Sequence, residues 1–222
     1  MGKQLAGKRF VVFDADGTLF DTMPGYRETF SDLVHRYFGV DKDVARRFYF
    51  ATAGMNLSEQ FRELLKQEGK SFTEVDIAKM YEEFFEISEE LPANLFNDVR
   101  QLLDDLRKKG VKMFITSGTK TDILDRRLKE TNLGHYFTMV LGSEIVLKSI
   151  AHIISFAEAI GISSNDFASQ GCIVGDGSGD MKLACKANML AVGITRTVNT
   201  DALRQAGADV VVGSLSELVD DS

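Results

Sequence analysis

The chain has 222 residues, a formal net charge of −7 and two cysteines. That length suits one large domain, or one domain carrying a smaller insert. The acidic balance argues against nucleic acid or a membrane surface as partner, and no apolar run is long enough to cross a bilayer. Residues 1–9 lack the apolar core of a secretory leader. They also fail the myristoylation pattern, since Ala6 and Gly7 stand where Ser or Thr is required. Cys172 and Cys185 lie in separate apolar patterns and read as core thiols of a reducing compartment, which predicts a cytoplasmic setting.

The first predicted element is a buried strand over 9–13, rich in Val and Phe. It stops at two carboxylates, Asp14 and Asp16, followed by Gly17 and Thr18. Asp-Gly is ordinary turn chemistry, and a solvated turn is the plain alternative. In an open α/β sheet, however, chemistry sits beyond the carboxyl ends of the strands. Two like charges this close need a cation, a shared proton or a functional demand to offset their repulsion. From 22 to 91 no strand is predicted. Four helical segments follow one another instead. Tyr26, Phe30, Leu33, Val34 and Tyr37 share one face, and a short segment covers 44–51. Ser58 can cap a third helix carrying Phe61, Leu64 and Leu65, and Thr73 a fourth carrying Ile77, Met80, Tyr81, Phe84 and Phe85. This block reads as a small helical domain, 22–91, inserted into an α/β core formed by 1–21 and 92–222. Pro24 and Pro92 suit its two connections.

Beyond it, strands are predicted over 111–115, 138–141, 172–174, 189–194 and 209–212, with helices between most of them. One helix carries Leu95, Val99, Leu102, Leu103 and Leu106; another carries Ile150, Ile153, Ile154, Ala157 and Ile160. Alternating strands and helices predict a mostly parallel, Rossmann-like sheet with helices on both faces. Three more strand-end signals stand out. The strand at 111–115 runs into Thr116-Ser117-Gly118-Thr119, a turn able to show hydroxyls and N–H groups to an anion. Lys148 opens a helix, where a cation is unfavourable unless an anion offsets it; a solvated surface lysine is the alternative. Ile173-Val174-Gly175-Asp176-Gly177-Ser178-Gly179-Asp180 ends a strand in two acids. Their oxygens suit Mg²⁺, while Asp180 can equally cap the next helix.

Together these segments resemble the haloacid dehalogenase superfamily. The run from Asp14 to Asp21 is similar to its first motif, Asp-x-Asp-Gly-Thr-Leu-x-Asp. Thr116 matches the second, and Lys148 stands where the third falls, although Lys148-Ser149-Ile150-Ala151 departs from the usual Lys-Pro-x-Pro. Gly175 to Asp180 resembles the fourth, Gly-Asp-x-x-x-Asp. The inserted helices resemble the family's C1-type cap in position and length. The resemblance implies Asp14 as nucleophile and Asp16 as general acid and base. It implies Mg²⁺ held by Asp14, Asp176 and the Asp16 carbonyl, with Asp180 assisting. Thr116, Ser117, Gly118 and Lys148 would bind the phosphoryl group, Thr116 and Lys148 contributing to catalysis. The loop at 50–56, with Thr52, Gly54, Met55 and Asn56, would select the substrate or is merely a tight helix–helix turn, while Arg46 and Arg47 offer a second anion site or a solvated helix face. The resembling dehalogenases carry Tyr where this chain has Asp16, which favours a small-molecule phosphate ester as substrate. The Asp21-Thr22-Met23-Pro24 entry is similar to that of phosphoglycolate-phosphatase-like members. A phosphomutase of the β-phosphoglucomutase type and a non-catalytic phosphate-binding relative are the alternatives.

Overall fold

The computed structural model describes Leu5 and residues 7–53, 55–143 and 148–218. The chain divides into two compact units, Met1–Asp21 with Ala93–Ser222, and Thr22–Pro92. The first unit is built on a six-stranded, wholly parallel sheet. Its strands are β1 (Phe10–Phe13), β2 (Lys112–Thr116), β3 (Phe137–Leu141), β4 (Gly171–Gly175), β5 (Leu190–Ile194) and β6 (Val210–Val212). Their order is β3-β2-β1-β4-β5-β6. The chain first builds outward on one side of β1 and then, from β4, on the other. The crevice above β1 and β4 is therefore the topological switch point, where ligands of open α/β sheets bind.

Both faces of the sheet are covered, so its strands read as continuous apolar runs. In β1 all four residues are buried. Val11 and Phe13 face a core with Leu102, Leu103 and Leu106 of α5 (Val99–Lys108) and Leu124 and Leu128 of α6 (Thr121–Glu130). Phe10 and Val12 face a second core. That core contains Ile153 and Phe156 of α7 (Ile150–Ala159), Phe167 of α8 (Ser164–Ser169), Met181 of α9 (Ser178–Lys186) and Leu203 of α10 (Thr200–Gln205). This alternation is the two-residue period of a strand.

Several details differ from the sequence pattern. Leu95 precedes α5 and joins Phe20 in an isolated antiparallel bridge instead of extending the helix. On α7 the buried face is His152, Ile153, Phe156 and Ala157, while Ile150 and Ile154 are exposed. The apolar run there is dense enough to fit two helical phases, and packing against β3 and α8 selects the phase with the aromatic ring. Cys172 is buried, which pushes its thiol pKa up to about 12, but Cys185 is exposed. The inward face of α9 is Asp180, Met181, Leu183 and Ala184, and Cys185 falls one residue beyond it, about 100° further round.

The second unit consists of α1 (Met23–Phe38), α2 (Lys42–Ala51), α3 (Leu57–Gln67) and α4 (Glu74–Glu89). Its core is aromatic: Phe30 stacks on Phe61 with ring centroids 4.8 Å apart, and Tyr26 meets Phe84 at 5.3 Å. Tyr37 and Tyr81 are only half-buried, each at the edge of its apolar face. Thr73 and Asp76 form a reciprocal capping box at the start of α4. Asn56, not Ser58, caps α3, its side chain accepting from the Ser58 N–H at 2.9 Å. Pro24 lies inside the first turn of α1, where its missing N–H costs nothing.

Candidate active site

Asp14 follows β1 directly, and Asp176 follows β4. The two strands are paired with Phe13 opposite Val174, and the Asp14 N–H continues the ladder to the Val174 carbonyl at 2.9 Å. The register therefore delivers the two carboxylates side by side. Asp180 joins them from the first turn of α9. Its Oδ2 accepts from the Gly177 N–H at 3.0 Å, which fixes the helix start and the carboxylate together. Gly175 makes this possible, because a Cβ there would lie 2.2 Å from Asp180 Cγ. Ligating oxygens of Asp14, Asp176 and Asp180 all lie within 4.8 Å of one another, and all three residues are buried. Among the described residues this is the cluster of acids able to hold a metal ion.

Lys148 enters the same cluster although no proline follows it. Its backbone N–H donates to Ser143 Oγ, which in turn donates to the Ser117 carbonyl. Its ammonium lies 2.5 Å from Asp14 Oδ1 and 2.5 Å from Asp180 Oδ1. Burial alone would push the lysine pKa down, but Asp14 and Asp180 more than reverse this and hold it above its ordinary value. Among the described residues, one cation against three buried carboxylates leaves an excess of negative charge. Burial pushes the Asp14 carboxyl well up; Lys148 opposes this, and the Asp180 and Asp176 charges add to it. Asp176 rises to about 6 through burial and the Asp180 charge, against hydrogen bonds from Thr197 and Thr18.

These residues fit a hard divalent cation. Every donor is a carboxylate oxygen, the charge excess matches, and Asp180 Oδ1 is buried with no hydrogen bond beyond its ion pair to Lys148. Asp14, Asp176 and Asp180 are the side chains that would hold it.

The carboxylate of Asp16 is not part of this cluster. Its Oδ1 accepts from Arg127 Nη1 at 2.7 Å, and its Oδ2 accepts from Thr119 Oγ1 at 2.6 Å and Ser117 Oγ at 3.2 Å. Gly17, at φ +80°, turns the chain between Asp16 and Thr18. Thr18 Oγ1 then donates to Asp176 Oδ1 at 3.0 Å and lies 3.4 Å from Asp14 Oδ2. Arg196 braces this loop from behind, donating to the Thr18 carbonyl and pairing with Asp98 while its guanidinium lies over the Phe96 ring.

Thr116 is fully buried at the end of β2, and its Oγ1 is 2.8 Å from Nδ1 of buried His152. That contact fixes the orientation of the hydroxyl. Gly118 is exposed in the turn between Ser117 and Thr119. In the helical unit, Thr52 Oγ1 donates to the Phe48 carbonyl and accepts from Gln60 Nε2, so it braces the α2–α3 turn. Met55 is 40% exposed, and Gly54 lies outside the described residues. Arg46 is committed to Glu28 and Asp43, which favours the solvated-face reading over a second anion site; Arg47 is exposed.

The family model of haloacid dehalogenase-like hydrolases matches residues 11–194. The chain belongs to this family. It is 28% identical over 215 residues to the "Probable phosphatase IndB" of Dickeya dadantii, covering 96% of this chain and 92% of that protein. It is 23% identical to a phosphoglycolate phosphatase of Vibrio parahaemolyticus, covering 96% and 95%. Among solved structures, a hydrolase from Pseudomonas syringae superposes with a TM-score of 0.79 at 20% identity, covering 95% of each chain. Hydrolase is thus the enzyme class of the chain, and phosphatase is the activity that these two relatives' names share. No described helix is long and apolar enough to cross a membrane.

Arg127, His152 and Thr197 have no part in the motif reading, and Thr18, the Thr of the first motif, has no role assigned in it. Two of them carry a signal in the sequence. Arg127 sits on the α6 face formed by Ile123, Leu124 and Leu128, and His152 beside Ile153, Phe156 and Ala157 on α7. A polar residue at the core position of an apolar helical face must be met by a partner inside.

Proposed function

We propose that this chain is a Mg²⁺-dependent phosphatase that hydrolyses a small-molecule phosphate monoester through an aspartyl-phosphate on Asp14. The observation that supports it is Asp14 beside Asp176, Asp180 and Lys148 at the switch point of the sheet. Mg²⁺ supplies the positive charge that lets a carboxylate approach a phosphate dianion. An Asp14 oxygen attacks phosphorus, and the bond from phosphorus to the ester oxygen breaks. Asp16 gives its proton to the departing alkoxide. The Asp16 carboxylate then takes a proton from water as that water attacks phosphorus, releasing inorganic phosphate and restoring Asp14. Lys148 and the donors around Thr116, Ser117 and Gly118 stabilise the charge on the transferring group. Lys148 also favours the anionic, nucleophilic form of Asp14 against the burial that raises its carboxyl.

Substrate choice belongs, in this reading, to the helical unit, with Thr52, Gly54, Met55 and Asn56 as the selecting residues. The expected setting is the cytoplasm. A screen of phosphate esters with Mg²⁺, including p-nitrophenyl phosphate and phosphoglycolate, tests the activity and the substrate together. Acid-quenched enzyme should carry one base-labile phosphate on Asp14. Absence of turnover across the screen would overturn the reading.

A further inference from the structure

Arg127 is fully buried, and it heads the fully buried side chains by size among the described residues. A guanidinium in that position is costly to desolvate unless it is paired. Its partner is Asp16 Oδ1, 2.7 Å away, with the Asp16 side chain only 10% exposed. The other Asp16 oxygen is occupied by two hydroxyls, Thr119 at 2.6 Å and Ser117 at 3.2 Å. Both oxygens of the carboxylate are therefore engaged by the protein itself. None of these partners belongs to the cluster of Asp14, Asp176 and Asp180 where a phosphoryl group would be transferred.

An acid that delivers a proton to a leaving group must bring one oxygen within hydrogen-bond reach of it. In the conformation described, both Asp16 oxygens are turned to Arg127, Thr119 and Ser117. Reaching the substrate requires at least one of these bonds to open, and the bond to Arg127 is the charge-assisted one. The three donors come from one stretch of chain, since Ser117 and Thr119 lie in the turn after β2 and Arg127 lies on α6, the helix which that turn opens. They form a rigid socket, with Arg127 anchored among Ile123, Leu124 and Leu128.

The geometry points to Arg127 as a positioning residue that holds Asp16 in a standby orientation and sets the cost of presenting it to the leaving group. This role rests on the phosphatase reading above. It touches substrates unequally. A good leaving group departs with little protonation, so its transfer depends weakly on Asp16. A poor one depends on Asp16 being released.

The test is single-turnover phosphoryl transfer from p-nitrophenyl phosphate and from propyl phosphate, with the ratio of the two rates as the readout. Arg127→Met keeps the volume and removes the charge. It should raise the propyl-to-nitrophenyl ratio by about tenfold, the equivalent of one charge-assisted hydrogen bond no longer broken. In an Asp16→Asn background the same substitution should leave the ratio unchanged. Thermal unfolding checks that each variant is folded. Should Arg127→Met fail to fold, Thr119→Val removes a contact on the other oxygen and should shift the ratio in the same direction by a smaller factor. A folded Arg127→Met with an unchanged or lowered ratio, or an equal shift in the Asp16→Asn background, would make Arg127 a structural strut and overturn the role. A wild-type chain that transfers phosphate from neither ester would overturn the phosphatase reading and this role with it.

Discussion

Asp176→Asn should stabilise the protein in the absence of a divalent cation, and added Mg²⁺ should erase most of that advantage over wild type. The folded protein raises the Asp176 carboxyl from its ordinary 3.8 to about 6. Between those values the folded state keeps a proton that the unfolded chain has released. The stabilisation is therefore complete below about pH 4 and is lost as pH rises to about 6. A displacement of about two pH units, at about 1.4 kcal/mol each, makes the ionised form about 3 kcal/mol worse in the fold. Asparagine resembles the protonated acid in shape and can keep partners in Thr18 and Thr197, which hold Asp176 from both sides. In EDTA at pH 7 the variant should be more stable by up to about 3 kcal/mol, roughly 6–12 °C for a chain of this size. At pH 3.5 the two proteins should melt together. The difference between the two melting curves across pH reports Asp176 together with Asp14, whose carboxyl the Asp176 charge raises. Added Mg²⁺ at a hundred times its dissociation constant should restore about 2.7 kcal/mol to wild type and much less to the variant. A variant no more stable than wild type at pH 7 in EDTA would refute the claim that burial and the Asp180 charge disfavour ionised Asp176.

Asp14→Asn should abolish turnover while the fold persists, and a rate within about tenfold of wild type would remove Asp14 as nucleophile. Chelation should abolish activity and Mg²⁺ restore it, with Ca²⁺ a poor substitute because it prefers more ligands and longer bonds; full activity after exhaustive chelation would contradict the metal role of the acid cluster. Asp16→Asn should slow transfer from an alkyl phosphate by about 10²–10⁴-fold and from p-nitrophenyl phosphate by much less, and equal losses would assign Asp16 to structure instead of proton transfer. Lys148→Met should remove the one cation on Asp14 and Asp180, slowing transfer and making stability more dependent on Mg²⁺; a melting temperature with the same Mg²⁺ response as wild type would count against that bridge.

The strands and their order of chemistry were legible because a parallel strand buried on both faces is a continuous apolar run, and its last residue is marked by an abrupt change of polarity. That is how Asp14, Thr116 and Asp176 stand out, and the register of β1 with β2 and β4 brings their strand ends together. Helix phase was less legible. The run from Ile150 to Ile160 contains enough isoleucine and alanine to fit a face through Ile150 and Ile154, and that phase turns His152 outward. The observed phase turns His152 onto Thr116. Arg127 escaped for a related reason: in an Asp-Arg-Arg-Leu-Lys-Glu stretch, a charge at a core position is camouflaged by its charged neighbours. Exposure of Cys185 is the same error, one residue of rotation on α9.

The Asp14–Asp16 pair shows what the missing side chains add. Two acids two residues apart beyond a strand raise one question in the sequence, namely what offsets their repulsion. In the fold they are provided for separately. Asp14 is drawn to Lys148 and into a cluster still short of positive charge, whereas Asp16 is met by Arg127 and two hydroxyls. The first arrangement leaves charge for a cation to satisfy, and the second is complete within the protein. A nucleophile needs the first condition, because it must meet an anionic phosphoryl group through shared positive charge. A group that moves protons on demand is better served by the second, because it can be held away from the site until a leaving group needs it. The difference between the two acids therefore lies less in the carboxylates than in which helix supplies the cation: the α7 entry through Lys148 for one, and the buried face of α6 through Arg127 for the other.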